Sequence, residues 1–327
     1  MLALIMVISV ASFLSYLEHC FMQPVSAMER SITAIIKKPP KIKIGLYSTD
    51  DWVELTTNYE YQIKNGANEL LKTVNKNEIT HVKYDKKQAK YFVEQGDDSF
   101  ISDTHIRIIP KRNGKVITIN NYENRPAWNL ELNDNQFKGR LIIKYSKTSD
   151  ATWVVNRLSL ENYVKGVAEA SNDNDRAYLR ALYTAARTYA YYHYLHPTKY
   201  ANEPYLLTAT ANDQVYKGWA FTLRSPNVNE AVRSTRGKMI TYSNDIIVAS
   251  YFSQSDGHTR SWSKVWGGSK DYAVSVDDPG CNGDELLGHG VGLSAKGARY
   301  FAESMDWSWK RILKYYYTGV KIKSIYK

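Results

Sequence analysis

Cysteine is scarce in this sequence. Among 327 residues there are two, Cys20 and Cys281. We expect Cys20 to be lost with a cleaved N-terminal segment, and the residues before it, Leu17 to His19, lack the small side chains that lipoprotein processing requires. A single remaining cysteine excludes a disulfide framework, so the fold must depend on a hydrophobic core.

Charge is absent from the beginning of the chain until Glu18. The stretch from Leu2 to Leu17 is almost wholly apolar; it is short for a transmembrane helix but suits a signal peptide or a marginal anchor. Val25-Ser26-Ala27 offers small residues for cleavage, although no Lys or Arg precedes the apolar stretch. A buried N-terminal helix is the alternative. We expect residues 1–27 to direct export and the rest to be extracytoplasmic, either secreted or anchored at the cell envelope.

The chain also lacks any run of five or more basic residues, although it is basic overall. Lys and Arg number 43 against 33 Asp and Glu, which gives a net charge of +10. Such an excess favours an anionic partner: nucleic acid, lipid head groups or an acidic cell-wall polymer. Because the basic residues are scattered, we expect no nucleic-acid partner, and membrane contact only through the N-terminal segment.

No internal repeat is visible, and the chain divides by composition instead. Residues 28–40 form a basic linker that ends in two prolines. Residues 41–156 are rich in strand signals, and residues 157–327 mix helices and strands without regular alternation. This pattern predicts an α+β fold, in which a β-rich N-terminal module packs with a mixed helix and strand domain.

Alternating apolar residues predict the strands of the first module. Lys41 to Leu46 alternates strictly. Ile106–Ile109 and Val116–Ile119 flank an Asn-Gly turn, which predicts a hairpin. Phe137–Tyr145 and Thr152–Asn156 are predicted to pair across the turn between them.

The helical period and capping residues predict the helices. The longest is expected to begin near Asp175 and to end before Pro197. All predicted helices are Ala67–Val74, Ser159–Val167, Asp175–His196, Ser294–Ser304 and Trp307–Tyr316. Two further strands are predicted at Val248–Ser253 and Tyr272–Val276.

Glycines alternate with His289 and Val291 in the stretch from Gly288 to Gly292, just before the predicted helix at Ser294. Glycine accepts a positive φ and has no Cβ, so such a stretch brings bare backbone close to a ligand or to another part of the chain. Four other motifs precede it in order. They are Leu158 to Glu169, Ala185 to Ala190, Gln214 to Gly218 and Tyr251 to Thr259.

This ordered set of motifs resembles the SpoIID/LytB family, named for stage II sporulation protein D. The resemblance extends from about Lys41 to Tyr317 and identifies residues 157–327 as a SpoIID-like catalytic domain. It implies a protein of the bacterial cell wall whose partner is the glycan strand of peptidoglycan. The family includes lytic transglycosylases, which cleave the β-1,4 bond between N-acetylmuramic acid and N-acetylglucosamine. It also includes non-catalytic proteins that bind the wall and stimulate an N-acetylmuramoyl-L-alanine amidase.

Glu169 is the candidate catalytic residue. By position alone it is a solvated glutamate at the end of a helix, as most charged residues are. The resemblance implies instead that Glu169 is the acid/base, because the family carries a glutamate after the same helix and Gly-Val pair. Ala170 and Ser171 replace the usual methionine and proline.

A lytic transglycosylase needs one carboxyl group, whereas most glycosidases need two. The sugar's own C6 hydroxyl attacks the anomeric carbon, and one group first donates and then accepts the proton. If a second carboxylate exists, Asp173, Asp256 and Asp277 are the candidates. Ala170, Asp256 and Ala295, where the family often has Met, Gly and Gln, favour the alternative of an amidase modifier.

The remaining site residues are predicted to bind substrate. By its position among small residues, Arg187 either pairs with a buried carboxylate or reaches a substrate carboxylate or lactyl oxygen. The resemblance implies that Arg187 is a cleft-wall residue that positions Glu169, and that residues of the other motifs contact the sugars. The full set is Arg187, Tyr216, Ser253, Ser255, His258, His289, Gly290 and Ser294. Ser255 with His258 or His289 could form a serine-hydrolase triad, but no nucleophile-elbow sequence is present.

No metal or other cofactor is expected. Some family members hold zinc near the Gln-Val-Tyr motif, but Thr208 to Gln214 contains neither cysteine nor histidine. Cys281, His258 and His289 are the other possible ligands, and their spacing matches no tight zinc pattern.

Overall fold

A computed structural model describes residues 37–327 of the chain. The predicted signal peptide or anchor, residues 1–27, lies outside the described residues, as does most of the predicted linker. Within the described part, no helix combines the length and the apolar character that crossing a bilayer requires. The predicted domain boundary at residues 156 and 157 stays a prediction. Contacts between residues group the whole described part into one unit.

Eighteen strands form four sheets within residues 37–327. The largest sheet has the strand order β13-β1-β12-β11-β8-β3-β4, and a six-stranded sheet has the order β10-β9-β2-β5-β6-β7. The strands are β1 (Lys41–Ser48), β2 (Val53–Thr57), β3 (Tyr61–Lys64), β4 (Leu70–Val74), β5 (Thr80–Asp85), β6 (Lys90–Gln95), β7 (Asp98–Ser102), β8 (Ile106–Pro110), β9 (Val116–Ile119), β10 (Gln136–Lys138), β11 (Arg140–Ser146), β12 (Ala151–Ser159), β13 (Leu207–Thr208), β14 (Lys238–Tyr242), β15 (Asp245–Ile246), β16 (Tyr251–Phe252), β17 (Leu293–Ser294) and β18 (Lys321–Ser324).

Seven α-helices follow the first twelve strands in the described part of the chain. They are α1 (Leu160–Lys165), α2 (Arg176–Leu195), α3 (Gly218–Arg224), α4 (Pro226–Ser234), α5 (Trp262–Trp266), α6 (Ala295–Glu303) and α7 (Trp309–Tyr316). The predicted α+β class is confirmed, with strands concentrated in the N-terminal region.

The predicted pair of strands around residues 146–150 is confirmed with one change. β11 and β12 are antiparallel neighbours, with Ser146 opposite Ala151. The first strand of the pair is interrupted at Gly139, which adopts a φ of +96°. A Cβ there would lie 2.5 Å from the Arg157 carbonyl oxygen, so the chain passes too closely for any larger residue.

The predicted hairpin across Asn113-Gly114 is wrong, although both of its strands exist. β8 pairs with β3 and β11 in the large sheet, whereas β9 pairs with β2 and β10 in the other. The turn therefore carries the chain from one sheet to the next. A turn signal specifies a local reversal, while the pairing partners are chosen by burial of the apolar faces.

The predicted helix at Ala67–Val74 is also wrong. Residues 70–74 form β4, which pairs with β3, and Val74 lies opposite the fully buried Tyr61. The helix-forming side chains of this stretch are overridden by pairing at the edge of the sheet, because helix propensity is a weak preference.

The helices that flank the site agree with the sequence. Ser159 and Asp175 cap α1 and α2 by accepting hydrogen bonds from backbone amides of the first turn. Ser294 and Ser308 do the same for α6 and α7. Helix α2 is the centre of this half, since α1, α4, α6, α7 and β14 all pack against it.

The strand predictions in the last third are less accurate. Val248–Ser253 contains only the two-residue β16, and Tyr272–Val276 is irregular. Helices α3, α4 and α5 were not predicted. The irregular stretches from residue 247 to residue 292 are held by isolated bridges and backbone bonds around the cleft described next.

Candidate active-site cleft

A cleft of about 700 Å³ opens beside α2 and contains Glu169. Its wall is formed by the N-terminal half of the SpoIID-like region on one side and by the loops after β15 on the other. The lining residues are Glu169, Leu182, Tyr189, His193, Lys199, Ala211, Asn212, Asp213, Val248, Ser250, Tyr251, Phe252, Ser253, Trp262, Trp266, Leu287, Gly288, His289 and Ala295. Of the predicted site residues, the structure thus brings Glu169, Ser253 and His289 together.

Glu169 is positioned by backbone pairing rather than by a charged partner. The segment after α1 runs beside the Val215-Tyr216 segment: the Ala168 amide donates to the Val215 carbonyl at 2.7 Å. The Val215 amide in turn donates to Glu169 Oε1, also at 2.7 Å. Burial raises the pKa of Glu169 above its ordinary value, and the single amide bond opposes this only in part. The carboxyl group is therefore biased towards its protonated form.

Asp213 is the second carboxylate of the cleft, and sequence reasoning missed it. One oxygen accepts hydrogen bonds from Lys199 at 2.7 Å and from the Tyr189 hydroxyl at 3.0 Å. The other accepts from the amide and the hydroxyl of Thr208 at 2.8 and 2.9 Å. Burial alone would raise the pKa of Asp213, but the hydrogen bond and charge of Lys199 and the hydrogen bonds of Thr208 hold it below its ordinary value. Asp213 is thus an ionised, fully hydrogen-bonded group that fixes one wall of the cleft.

His289 lies on the glycine-rich loop and faces the cleft as a neutral imidazole. Its Nδ1 accepts a hydrogen bond from the Val291 amide at 3.0 Å, which leaves the proton on Nε2. Burial lowers the pKa of His289, and a backbone hydrogen bond with Tyr251 opposes that effect. The ring packs between Trp266 and Phe252, with centroid distances of 4.8 and 5.6 Å.

Two tryptophans of α5 form an aromatic wall that sequence reasoning also missed. Trp262 and Trp266 contact each other edge to face at 4.5 Å, and 45% of the Trp266 surface is exposed. Ser261 caps this short helix. Exposed indole faces stack on sugar rings, so the wall suits a carbohydrate. In the sequence, the signal for this helix and its aromatic face was the serine followed by two tryptophans spaced four residues apart.

Arg187 and Tyr216 do not line the cleft, which corrects the sequence interpretation. Arg187 is fully buried and forms a two-pronged ion pair with Glu161, at 3.0 and 3.2 Å, rather than positioning Glu169. Tyr216 is 2% exposed, and its hydroxyl donates to Asn156 at 2.9 Å. Arg187 and Tyr216 therefore stabilise the interior of the domain.

Ser255, Ser294 and Gly290 are likewise structural. The Ser255 hydroxyl is buried and donates to Asp278 at 2.6 Å. Ser294 is buried and accepts the Gly297 amide of α6 at 3.2 Å. Gly290 is buried with a φ of +78°, and a Cβ there would lie 2.8 Å from the Arg260 side chain. None of the three lines the cleft. Each one instead contacts neighbouring parts of the chain.

His258 is exposed but lies away from the cleft lining, beside Asp256 at 3.9 Å. Asp256 itself makes two hydrogen bonds to Arg260, at 3.0 and 2.6 Å. Asp173 and Asp277 are exposed and also lie outside the lining. No triad of Ser255 with a histidine exists in the described residues, since its hydroxyl is bonded to Asp278.

A metal centre is not built by residues 37–327, where no three His, Cys, Asp or Glu side chains converge. Cys281 is buried and contacts the Ser294 hydroxyl at 3.6 Å.

Comparison with known proteins agrees with the motifs. Residues 148–242 match the family described as Stage II sporulation protein. An uncharacterised protein of Brachyspira hyodysenteriae is 31% identical over 215 residues, covering 62% of this chain and 55% of that protein. Stage II sporulation protein D of Bacillus subtilis is 31% identical over 159 residues, covering 43% and 46%. The amidase enhancer of the same organism is 33% identical over 100 residues, covering 31% and 12%.

The family match and the named relatives support the SpoIID/LytB resemblance that the motifs carry. It spans about half the length or less of these relatives. The matched region, residues 148–242, contains Glu169, Asp213 and the buried pair of Arg187 with Glu161.

Proposed function

We propose that this protein acts on the bacterial cell wall as a lytic transglycosylase, with Glu169 as the single acid/base. The family assignment supports a cell-wall related function. The observation that carries the finer proposal is the state of the two carboxyl groups in the cleft. Glu169 has a raised pKa and no charged partner, whereas Asp213 is ionised and saturated by four donors.

This difference favours transglycosylation over hydrolysis. A hydrolase needs a second carboxylate that is free to activate water or to attack the sugar. Among the described residues that line the cleft, Glu169 and Asp213 are the only acids, and Asp213 has no free oxygen to offer. One available carboxyl group matches a reaction in which the substrate supplies its own nucleophile.

In the proposed reaction, protonated Glu169 donates its proton to the glycosidic oxygen as the bond from C1 to that oxygen breaks. The resulting carboxylate then accepts the proton of the muramic acid C6 hydroxyl as O6 bonds to C1. The 1,6-anhydro ring closes without consuming water, and Glu169 returns to its protonated state. A pKa above the ordinary range suits both proton transfers.

The substrate in this proposal is a glycan strand without most of its stem peptides. Trp262 and Trp266 offer faces for sugar rings, and the neutral His289 ring packs beside Trp266. Ser253 is exposed at the rim and supplies a hydroxyl. The export signal predicted for residues 1–27 is consistent with action outside the cytoplasm.

The purified protein is expected to release fragments that end in 1,6-anhydro-N-acetylmuramic acid from denuded glycan. Glu169→Gln should reduce that release by about 100-fold or more, the scale of a general acid/base, and should keep glycan binding. Mass spectrometry of the digest measures the product, and sedimentation with insoluble glycan measures binding. Asp173→Asn, an exposed acid in the loop after Glu169, is the matched control and should retain activity.

Fragments with a reducing muramic acid end would contradict the single-carboxylate reaction. Binding without any release by the wild type would instead favour the second candidate, a wall-bound modifier of an amidase. That candidate rests on the relative named amidase enhancer and on Asp256. Asp256 stands where the family often has glycine, and it forms an ion pair with Arg260.

A further inference from the structure

Six cationic side chains share one face of the seven-stranded sheet with a small apolar cluster that includes Ile142 and Val155, and none of the six lines the cleft. Their neighbours in sequence, such as Ile44, Ile108 and Leu141, point inward and are fully buried. Because side chains alternate between the two faces of a strand, the cations share the opposite face. This basic face consists of Lys43, Lys64, Arg107, Arg140, Lys144 and Arg157.

The register of the sheet aligns these residues across five neighbouring strands. Arg157 on β12 lies opposite Lys43 on β1 and opposite Arg140 on β11. Further along, Arg107 on β8 lies opposite Lys64 on β3. Neighbouring strands are about 4.8 Å apart, so the basic face extends for roughly 20 Å from β1 to β3.

No carboxylate neutralises the basic face. Among the described residues none of its six members takes part in an ion pair. Burial, followed by the charges of Lys144 and Arg157, lowers the pKa of Lys43. On the same face, burial followed by Lys144, Arg107 and Lys43 lowers the pKa of His105 to about 4.

Such an arrangement works against folding. Like charges directly opposite each other on neighbouring strands destabilise a sheet. Lys43, Arg157 and Arg140 nevertheless form an uninterrupted row of three. A bound ligand that supplies negative charge would relieve this repulsion, which explains why the cations lie together.

We propose that the basic face binds a linear phosphodiester polymer of the cell wall and holds the protein on the wall while the cleft acts on glycan. The choice of a wall polymer rests on the proposed function. A chain of regularly spaced anions fits a surface of this length better than a single anion. Arg140 and Arg157 each present a planar guanidinium, which matches phosphate oxygens. The guanidinium of Arg107 already donates to the Asn65 carbonyl oxygen and to Asn68.

The test compares the full chain with the variant Lys43→Gln/Arg140→Gln/Arg157→Gln, using poly(glycerol phosphate) as the probe. Each lost phosphate contact reduces the salt dependence of binding by about 0.7 in the slope of log K against log salt. The slope should therefore fall by about two, and affinity at 0.1 M salt by about tenfold or more. The melting temperature should stay the same or rise, because repulsion is relieved.

A matched variant, Lys76→Gln/Lys310→Gln/Lys314→Gln, removes the same charge from exposed sites outside the basic face and should bind like the wild type. Equal losses in the two variants would overturn the proposal. So would tighter binding to duplex DNA, to polyglutamate or to phosphatidylglycerol vesicles than to poly(glycerol phosphate). The probe contains no glycan, so these results are independent of whether Glu169 cleaves.

Discussion

At the scale of single residues, the environment of Glu169 determines what the cleft can do. Its carboxyl group receives one backbone hydrogen bond and no opposing charge, while Asp213 nearby is surrounded by donors. Two carboxyl groups in one cleft therefore have pKa values shifted in opposite directions. This separation is the usual physical basis for assigning proton-transfer roles.

The raised pKa of Glu169 predicts a pH-dependent stability. The unfolded chain loses the proton near the ordinary value of 4.5, whereas the folded protein keeps it to a higher pH. Stability from this group is thus complete below 4.5 and is lost as the pH rises through the folded-state pKa. The melting temperature of Glu169→Gln minus that of the wild type should therefore increase over that pH range and stay constant above it.

Thermal unfolding across that pH range, by circular dichroism, measures this difference. Asp173→Asn should follow the wild-type curve. A difference in melting temperature between Glu169→Gln and the wild type that does not change with pH would show that Glu169 has the same pKa in the folded and unfolded states.

At the scale of elements, serine caps place the helices behind the cleft. Ser294 ends β17 and begins α6, directly after the glycine-rich loop that carries His289. Its hydroxyl is buried against the Gly297 amide and Cys281, so it has no free face for a sugar.

Ser294→Ala is expected to lower the free energy of unfolding by about 1 kcal/mol, the usual cost of a lost N-cap. Chemical denaturation measures the loss, and affinity for insoluble glycan should be unchanged. Ser304→Ala, at the exposed end of the same helix, is the control and should alter neither quantity. Weaker glycan binding with normal stability would restore Ser294 as a substrate contact.

At the scale of the whole molecule, one buried network joins distant parts of the chain. Glu161 on α1 pairs with Arg187 on α2 and also accepts hydrogen bonds from the Gly237 amide at 3.2 Å and the Tyr326 hydroxyl at 2.7 Å. Burial alone would raise the pKa of Glu161, but the charge and bonds of Arg187 hold it below its ordinary value.

Arg187→Ala should lower the free energy of unfolding by about 3–5 kcal/mol, because it leaves a buried carboxylate without its partner. Arg180→Ala removes an arginine from the same helix that makes one bond to Ser234, and it should cost far less. Denaturant unfolding of both variants measures the contrast. A stable Arg187→Ala protein with weakened glycan binding would support the cleft-wall role that the resemblance implied.

The sequence by itself determined the features that depend on near neighbours. The N-caps, the long helix from Asp175 and the apolar alternation of β1 are local, so they could be predicted from spacing alone. The family motifs also identified Glu169, Ser253 and His289 as candidates, and these three do share the cleft.

Tertiary structure decided the features that depend on partners distant in sequence. A strand pattern shows which face is buried but not which strand lies beside it, so β8 and β9 entered different sheets. For the same reason Arg187 met Glu161 instead of Glu169, and Asp213 gained its four donors. The basic residues are scattered along the chain and contain no basic run, yet strand register collects six of them on one face, because neighbouring positions in a sheet are set by pairing rather than by order in the chain.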